Sequence, residues 1–254
     1  TTAPPEMVEL LDLLPGNHLR TIVAVLETER GEASRRVARS LLERFVPRHG
    51  ASIVQQLATM DAGIAVELLG ALAAADPERG LEGVQVVASR SELELQFAAL
   101  HVLEALPVTP NVTRLLVGYA AASVEEVRVR ALEQIGRRGI RAAFQPLLDR
   151  VKKEAPLRLG PREAEAAGEA LGRVDPGRAL EQCREWLKPR GFFRGILPGQ
   201  AMLQWVGVSC LVHVPGDEAE TLVKHVAERG GAELAKHCTA SMVKRRRLMR
   251  GATS

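Results

Sequence analysis

The chain has 254 residues, of which 46% are hydrophobic and 26% charged, a composition typical of a folded protein. Aromatic residues make up only 3%. This scarcity disfavours sandwich and barrel folds, which are usually richer in aromatic and β-branched residues. An odd number of cysteines, three, without a Cys-x-x-Cys pair, argues against a complete disulfide framework. We therefore expect a helical protein of a reducing compartment, the cytoplasm.

The N-terminal residues 1–5, Thr-Thr-Ala-Pro-Pro, have the composition of a linker and lack the pattern of a signal peptide. We interpret them as a linker remnant of a longer protein, and we expect residues 6–254 to form one domain. The run from Gly199 to Gly216 lacks Asp, Glu, Lys and Arg. It contains other polar residues and is shorter than the roughly 20 apolar residues of a membrane span, so we expect a buried helix there and no span.

A hydrophobic period near 3.6 residues predicts about thirteen helices joined by short turns. They alternate as the first and second helices of hairpins. We expect first helices near 32–46, 62–75, 91–106, 124–137, 161–174 and 199–213, with second helices between them.

Polar residues mark several of the predicted helix starts. Ser91, Ser123 and Asp217 are each followed three residues later by Glu, which is the pattern of a capping box. The Asp-Pro pairs at 76 and 175 predict an Asp cap with Pro in the first helical turn. The most regular stripe of a second helix comprises Ile140, Ala143, Phe144, Leu147, Leu148 and Val151.

One of these starts recurs along the chain. Asp76-Pro77-Glu78-Arg79-Gly80-Leu81 returns 99 residues later, three times 33, as Asp175-Pro176-Gly177-Arg178-Ala179-Leu180. A fixed spacing of this size indicates a solenoid of helical hairpins, in which no unit buries its apolar face without its neighbours.

Two segments carry a family resemblance. Val127-Arg128, Ala131-Leu132, Ile135-Gly136 and Pro146-Leu147-Leu148 together resemble a HEAT repeat, and the segment from Glu163 to Leu187 is similar to bacterial HEAT repeats of the lyase-like type. The resemblance extends over most of residues 30–230. It implies an all-α, right-handed α-solenoid of about six to seven HEAT-like hairpins whose second helices line a concave face. Some members of the family attach bilins and others excise alkylated bases, but no motif here transfers either activity.

Charge is distributed unevenly along the chain. Residues 1–127 contain 10 Lys and Arg against 17 Asp and Glu, whereas residues 128–254 contain 24 against 14. In a solenoid this order predicts an acidic N-terminal half and a basic C-terminal half. The imbalance either serves solubility or directs the basic half to an acidic partner.

Three basic elements are candidate contacts for such a partner. The first is the connection with Lys188, Arg190 and Arg194 around Phe192 and Phe193, at least one of which we expect to be exposed. The second is the row of second-helix cations that the resemblance places on the concave face, and the third is the basic run near the C-terminus. The second and third sets are Arg114, Arg141, Arg150, Arg178 and Lys224, and Lys244, Arg245, Arg246 and Arg247.

Clustered catalytic groups are absent from the sequence pattern. A zinc site of two His and two Cys is imaginable around Cys210, His213, His237 and Cys238, but these cysteines fall on apolar stretches and we expect them in the core. Trp186 and Trp205 resemble the aromatics of DNA-glycosylase relatives, although without the acidic partner such an enzyme requires, so we expect them to pack.

The sequence therefore favours a non-enzymatic protein-interaction scaffold, without cofactor or metal, for a partner with an acidic surface. An Arg-to-Lys ratio of 28 to 6 is typical of GC-rich bacterial genomes and suggests a bacterial protein. Binding of nucleic acid through the basic half is the alternative function, and a DNA-glycosylase-like HEAT enzyme is a third. The oligomeric state has no signal in the sequence.

Overall fold

A computed structural model of the chain describes residues 31–156, 158–188 and 199–251. These residues form α-helices joined by short connections, and no β-strand occurs among them. They divide between Pro107 and Val108 into two compact units. The prediction of an all-helical protein is confirmed.

The N-terminal unit consists of four helices, α1 Glu32–Gln56, α2 Ala62–Ala75, α3 Pro77–Val87 and α4 Leu93–Ala105. Helix α2 packs against the other three. Leu68, Leu69 and Leu72 of α2 are completely buried at its centre. The core of this unit is therefore largely aliphatic.

The first helix of this unit is longer than predicted. We expected a break after residue 46, but α1 continues through Pro47 to Gln56. Proline removes one backbone hydrogen bond and kinks a helix, yet it does not end one whose flanks are held by packing. Val46 before the proline and Ile53 after it are both buried, so the core holds both segments of α1.

The described part of the C-terminal unit consists of eight α-helices, several of which pack against the helix two places further along the chain. Helix α8 packs against both α6 and α10, and α10 also contacts α12. A 3₁₀ turn at Arg141–Ala143 precedes α7. The helices are α5 Pro110–Tyr119, α6 Glu125–Arg137, α7 Phe144–Glu154, α8 Pro161–Val174, α9 Pro176–Trp186, α10 Gln200–Leu211, α11 Asp217–Arg229 and α12 Ala232–Gly251.

The predicted stripe of the second helix is confirmed. All six of its residues are buried, and Phe144 is among the largest fully buried side chains. The guanidinium of Arg178 in α9 lies 4.4 Å from the centre of the Phe144 ring. This cation–π contact ties two successive second helices together.

Only part of the predicted capping is correct. The Asp76 carboxylate accepts hydrogen bonds from the backbone N–H groups of Glu78 and Arg79 at 2.9 and 3.3 Å, and Asp175 caps α9 in the same way. The capping boxes at Ser91, Ser123 and Asp217 are wrong, because the cap positions are Glu92, Val124 and Gly216, without a side-chain cap.

Arginine side chains bind the carbonyl groups at the interhelical turns instead. Such carbonyls lack a helical partner and require a donor. Arg90 donates to the carbonyls of Leu57 and Met60. Arg128 donates to those of Ala122 and Ser123. Arg245 donates to those of Leu211, Val214 and Gly216. Six of these seven hydrogen bonds have donor–acceptor distances between 2.7 and 3.0 Å.

Candidate functional site

A shallow groove of about 500 Å³ opens on the C-terminal unit where several helices end. We call it the basic groove, because three arginines are among the side chains that line it. Helices α6 and α8 end at it, α9 begins at it, and the turn after α10 closes it. Its lining residues are Gly136, Arg137, Arg138, Gly139, Gly172, Arg173, Pro176 and His213.

Glycines allow the groove to form at this place. A Cβ on Gly172 would lie 2.3 Å from the carbonyl oxygen of Cys210, and one on Gly136 would lie 3.0 Å from the Cα of Ala170. The backbones of α6, α8 and α10 therefore approach more closely than any larger residue permits. Gly139 has a φ of +59°, which turns the chain from α6 into the next helix.

Three arginines lie where α6 and α8 end. The carboxyl ends of α6 and α8 each carry roughly half a negative charge, and cations there stabilise a helix. Arg137, Arg138 and Arg173 bring three guanidinium groups to these ends. Guanidinium groups bind carboxylates and phosphates in a bidentate manner.

A polar network supports one wall of the groove. The Arg173 Nε donates to His213 Nε2 at 3.2 Å. His213 Nε2 also lies 3.4 Å from Glu169 Oε2. Lys244 of α12 donates to the other oxygen of Glu169. His213 Nε2 serves only one role at a time, as an acceptor from Arg173 or as a donor to Glu169.

The network holds Glu169 in its charged form. Burial raises the pKa of this carboxyl, but the hydrogen bonds from His213 and Lys244, together with the charge of Lys244, lower it to about 2. The negative charge of Glu169 is thus neutralised by its own neighbours. It holds His213 in position and pairs with Arg173, whose Nη2 lies 3.5 Å from Glu169 Oε2.

A buried serine–histidine contact lies close to this network. Ser209 Oγ and His237 Nε2 are 2.8 Å apart, and the His237 ring stacks on Trp205 at a centroid distance of 4.1 Å. The Ser209 hydroxyl donates to the Trp205 carbonyl at 3.0 Å, so it receives its second bond from His237. Burial lowers the pKa of His237.

This contact does not form an activated nucleophile. Ser209 is 1% exposed and lies within α10, where the neighbouring backbone N–H groups are used by the helix. An acyl-transfer site needs an accessible hydroxyl and free donors for an oxyanion. The contact links α10 to α12 instead.

The cysteines occupy the core, as predicted. Cys183, Cys210 and Cys238 are free thiols and at most 1% exposed. Among the described residues, no group of three or more His, Cys, Asp or Glu is placed to hold a metal ion. Trp186 is buried as well, whereas Trp205 is half-buried against His237.

Most of the predicted second-helix cations are exposed. Arg114, Arg141, Arg178 and Lys224 lie at the surface. Arg178 Nη2 donates to Gln145, and Lys224 pairs with Glu220 at 2.9 Å.

Arg150 is placed differently from its neighbours in that set. It faces the protein interior, where its Nη2 contacts Glu163 and also Glu154 at 2.8 Å. Glu163 is only 1% exposed and forms a second ion pair with Arg128 at 2.7 Å. We therefore remove Arg150 from the candidate binding residues, because a buried carboxylate requires its charge.

The basic run of α12 likewise contains both surface cations and a buried one. Lys244 is paired with Glu169, and Arg246 lies 3.8 Å from Glu220. Arg245 is buried and binds turn carbonyls, so it is a structural residue and not a surface contact. Arg247 is exposed.

The aromatic connection is the remaining predicted element. Lys188 is exposed after the end of α9. Arg190, Phe192, Phe193 and Arg194 lie outside the described residues. The exposure of a phenylalanine there stays a prediction.

The sequence prediction missed the residues of the basic groove, although a signal was present. Ile135-Gly136-Arg137 and Leu171-Gly172-Arg173 repeat an apolar-Gly-Arg pattern at the ends of two first helices. The glycine marks the close packing of those ends, and the arginine that follows marks the groove.

No helix among the described residues combines the length and the apolar character that crossing a membrane requires. Comparison of the chain with models of protein families and with curated proteins finds no match.

Proposed function

We propose that the protein is a non-enzymatic scaffold built of HEAT-like helical hairpins, and that its basic groove binds an acidic segment of a partner protein. The observation that carries this proposal is the groove itself, which gathers three arginines at the ends of α6 and α8. The groove is shallow and open, a shape suited to a side chain or loop presented by another protein.

Contacts between successive hairpins support the repeat architecture. Five hydrogen bonds between neighbouring hairpins join residues that are 33 to 35 positions apart, and others span 28 to 40 positions. A stack of similar units has this property, because each unit contacts the next through equivalent positions. The pairs are Leu57 with Arg90, Gln145 with Arg178, Arg184 with Glu218, Leu211 with Arg245, and Arg128 with Glu163.

The choice of an acidic partner follows from charge. The C-terminal unit, residues 108–254, contains 25 Lys and Arg against 16 Asp and Glu. Such a surplus accelerates encounters with acidic surfaces, and arginine forks then give the contact its geometry. We place the protein in the cytoplasm, because three reduced thiols in the core suit a reducing compartment.

Fluorescent peptides of equal length, either rich in Asp and Glu or neutral, test the proposal. We expect the full chain to bind the acidic peptide and not the neutral one. The double variant Arg137→Glu with Arg138→Glu should weaken binding by more than roughly tenfold, equivalent to about 1.4 kcal/mol.

A matched control separates the groove from net charge. Arg114→Glu with Arg229→Glu removes the same charge from exposed positions elsewhere on the C-terminal unit. Circular dichroism should show that both variants remain folded. Equal losses of binding in the two variants, or no preference for the acidic peptide, would contradict the proposal.

A further inference from the structure

A second group of cations lies around the connection between α7 and α8. Lys152, Lys153, Arg158 and Arg162 are all exposed, and we call them the connection patch. The patch and the basic groove are at opposite ends of α8, because Arg162 is its second residue and Arg173 its second-last. Arg162 and Arg173 are eleven positions apart in α8, which corresponds to about 16 Å along the helix axis.

The connection is fixed against the core. Ala155 and Leu159 are buried, and the Arg158 N–H donates to the Glu154 carbonyl at 3.0 Å. Arg150 joins Glu154 at the end of α7 to Glu163 at the start of α8. The four cations therefore lie at the end of α7, at the start of α8 and on the anchored connection between these helices.

These side chains make no polar contact within the part of the chain that the structure describes. In residues 31–156, 158–188 and 199–251, none of the four forms a side-chain hydrogen bond or ion pair. The adjacent carboxylates are already engaged, since Glu163 binds Arg128 and Arg150, and Glu154 binds Arg150.

Three further carboxylates lie beside the patch. Glu125 Oε1 is 3.7 Å from the position that a Cβ on Gly160 would take, next to the start of α8. Asp149 lies one helical turn before the two lysines in α7, and Glu165 lies one turn after Arg162 in α8. The four cations still outnumber these three carboxylates, and Lys244 lies 3.6 Å from Glu165.

Helix stability explains only part of this charge. Lys152 and Lys153 lie in the last turn of α7, where cations are favourable. Arg162 lies in the first turn of α8, where a cation opposes the helix dipole. Its position therefore costs the helix stability and suggests a role outside the fold.

We propose that the connection patch binds the phosphate backbone of a nucleic-acid duplex. Phosphate contacts require cations and no apolar anchor, whereas protein interfaces depend on buried aromatic residues and are depleted in lysine. In the described part of the C-terminal unit, the large exposed hydrophobic residues are Val108, Val243 and Leu248, none of which belongs to the patch.

Residues 152–162 contain no aromatic residue, which favours a duplex over a single strand. Single-strand binding draws its energy from bases stacked on aromatic rings. Tyr119, Phe144 and Trp186 are buried, and the half-buried Trp205 stacks on His237. A duplex bound at the patch and an acidic protein bound at the groove would then be held by opposite ends of α8.

Fluorescence anisotropy with the full chain and a short DNA duplex of arbitrary sequence tests this site. For four phosphate contacts we expect a slope of log affinity against log salt of about −3.6, which is a loss of roughly 100-fold between about 50 and about 200 mM salt. Changing all four residues to Gln should abolish most of the slope. Lys152→Gln with Lys153→Gln should remove about half of it.

A control variant with Gln at Arg114, Lys224, Arg229 and Lys236 removes the same number of exposed charges elsewhere on the unit. This control should retain the salt slope. The groove variant Arg137→Glu with Arg138→Glu should also retain the slope, with a small loss of affinity from its lower net charge. Three results would overturn the proposal: no duplex binding at low salt, an equal loss in the control, or a poly-glutamate chain bound as tightly through the same four residues.

Discussion

Arg245 illustrates how one charged residue stabilises a helical turn. Its guanidinium is buried and donates to the carbonyls of Leu211 and Gly216, both at 2.7 Å, and to that of Val214. Hydrogen bonds from a charged donor contribute more than neutral ones, and a buried acceptor that loses its donor is costly. A residue of a basic run is in this case part of the core.

Replacement of this arginine should therefore destabilise the C-terminal unit. Arg245→Met removes the donor from three carbonyls, and we expect a loss of about 3 kcal/mol in the free energy of unfolding. Urea denaturation followed by circular dichroism measures it. The exposed neighbour gives the control, since Arg247→Met should change stability by less than about 0.5 kcal/mol. Equal effects of the two changes would show that the Arg245 contacts contribute nothing.

Glu169 makes stability depend on pH. Its pKa is lowered from 4.5 to about 2, so its contribution is complete above about pH 4.5 and is lost as the pH falls toward 2. A shift of this size corresponds to about 3 kcal/mol.

Glu169→Gln should thus lower the free energy of unfolding by up to about 3 kcal/mol at pH 7 and by much less near pH 2.5. Denaturation curves of both proteins at several pH values provide the comparison. A difference that stays constant from pH 7 to pH 2.5 would mean that the carboxylate is not stabilised by His213 and Lys244.

At the scale of the helices, close packing through small residues determines the arrangement of the C-terminal unit. Helix α8 consists largely of Ala and Gly on its buried face, and a Cβ on Gly168 would lie 2.3 Å from the Val206 carbonyl oxygen. With few aromatic side chains to fill space, tight contact between backbones supplies the dispersion energy.

Gly172→Ala should therefore destabilise the protein although alanine favours helices. The added methyl group meets the Cys210 carbonyl oxygen at 2.3 Å, and we expect a loss of about 1 to 3 kcal/mol or more. Gly70→Ala is the matched change at an exposed helical position with open space around it, and it should stabilise by about 0.5 to 1 kcal/mol. Stabilisation by both substitutions in thermal denaturation would contradict the close approach of α8 and α10.

Helix positions were largely predictable from sequence, while the chemistry of their ends was not. Apolar periodicity located α2, α6 and α8 within one or two residues, because burial of one face dominates helix formation. Ser123 failed as a cap, because Arg128 binds its carbonyl and the helix begins later. Such a competition between a local side chain and a neighbouring one is not encoded in spacing.

The sequence predicted that the candidate site would be basic, but it did not predict which cations form the site. The excess of cations in the C-terminal half was evident, but Arg150 and Arg245 proved to be internal. A helical position alone does not distinguish a cation that faces solvent from one that meets a buried acceptor on a neighbouring helix.

At the scale of the molecule, the two compact units differ in charge and in the surfaces they offer. The C-terminal unit contains the basic groove and the connection patch at opposite ends of α8. The two sites that we propose would allow the unit to hold an acidic protein segment and a nucleic-acid duplex at once. The central claim is that the groove is the site for the acidic protein segment.

Amide resonances of glycine test this claim most directly, because Gly136, Gly139 and Gly172 line the groove and report on it without any mutation. In a titration of the ¹⁵N-labelled chain with the acidic peptide, we predict saturable chemical-shift changes at these three glycines. The resonances of Gly118 and Gly231, which belong to the same unit but do not line the groove, should stay in place. Unchanged groove glycines in a protein that binds the peptide would contradict the account.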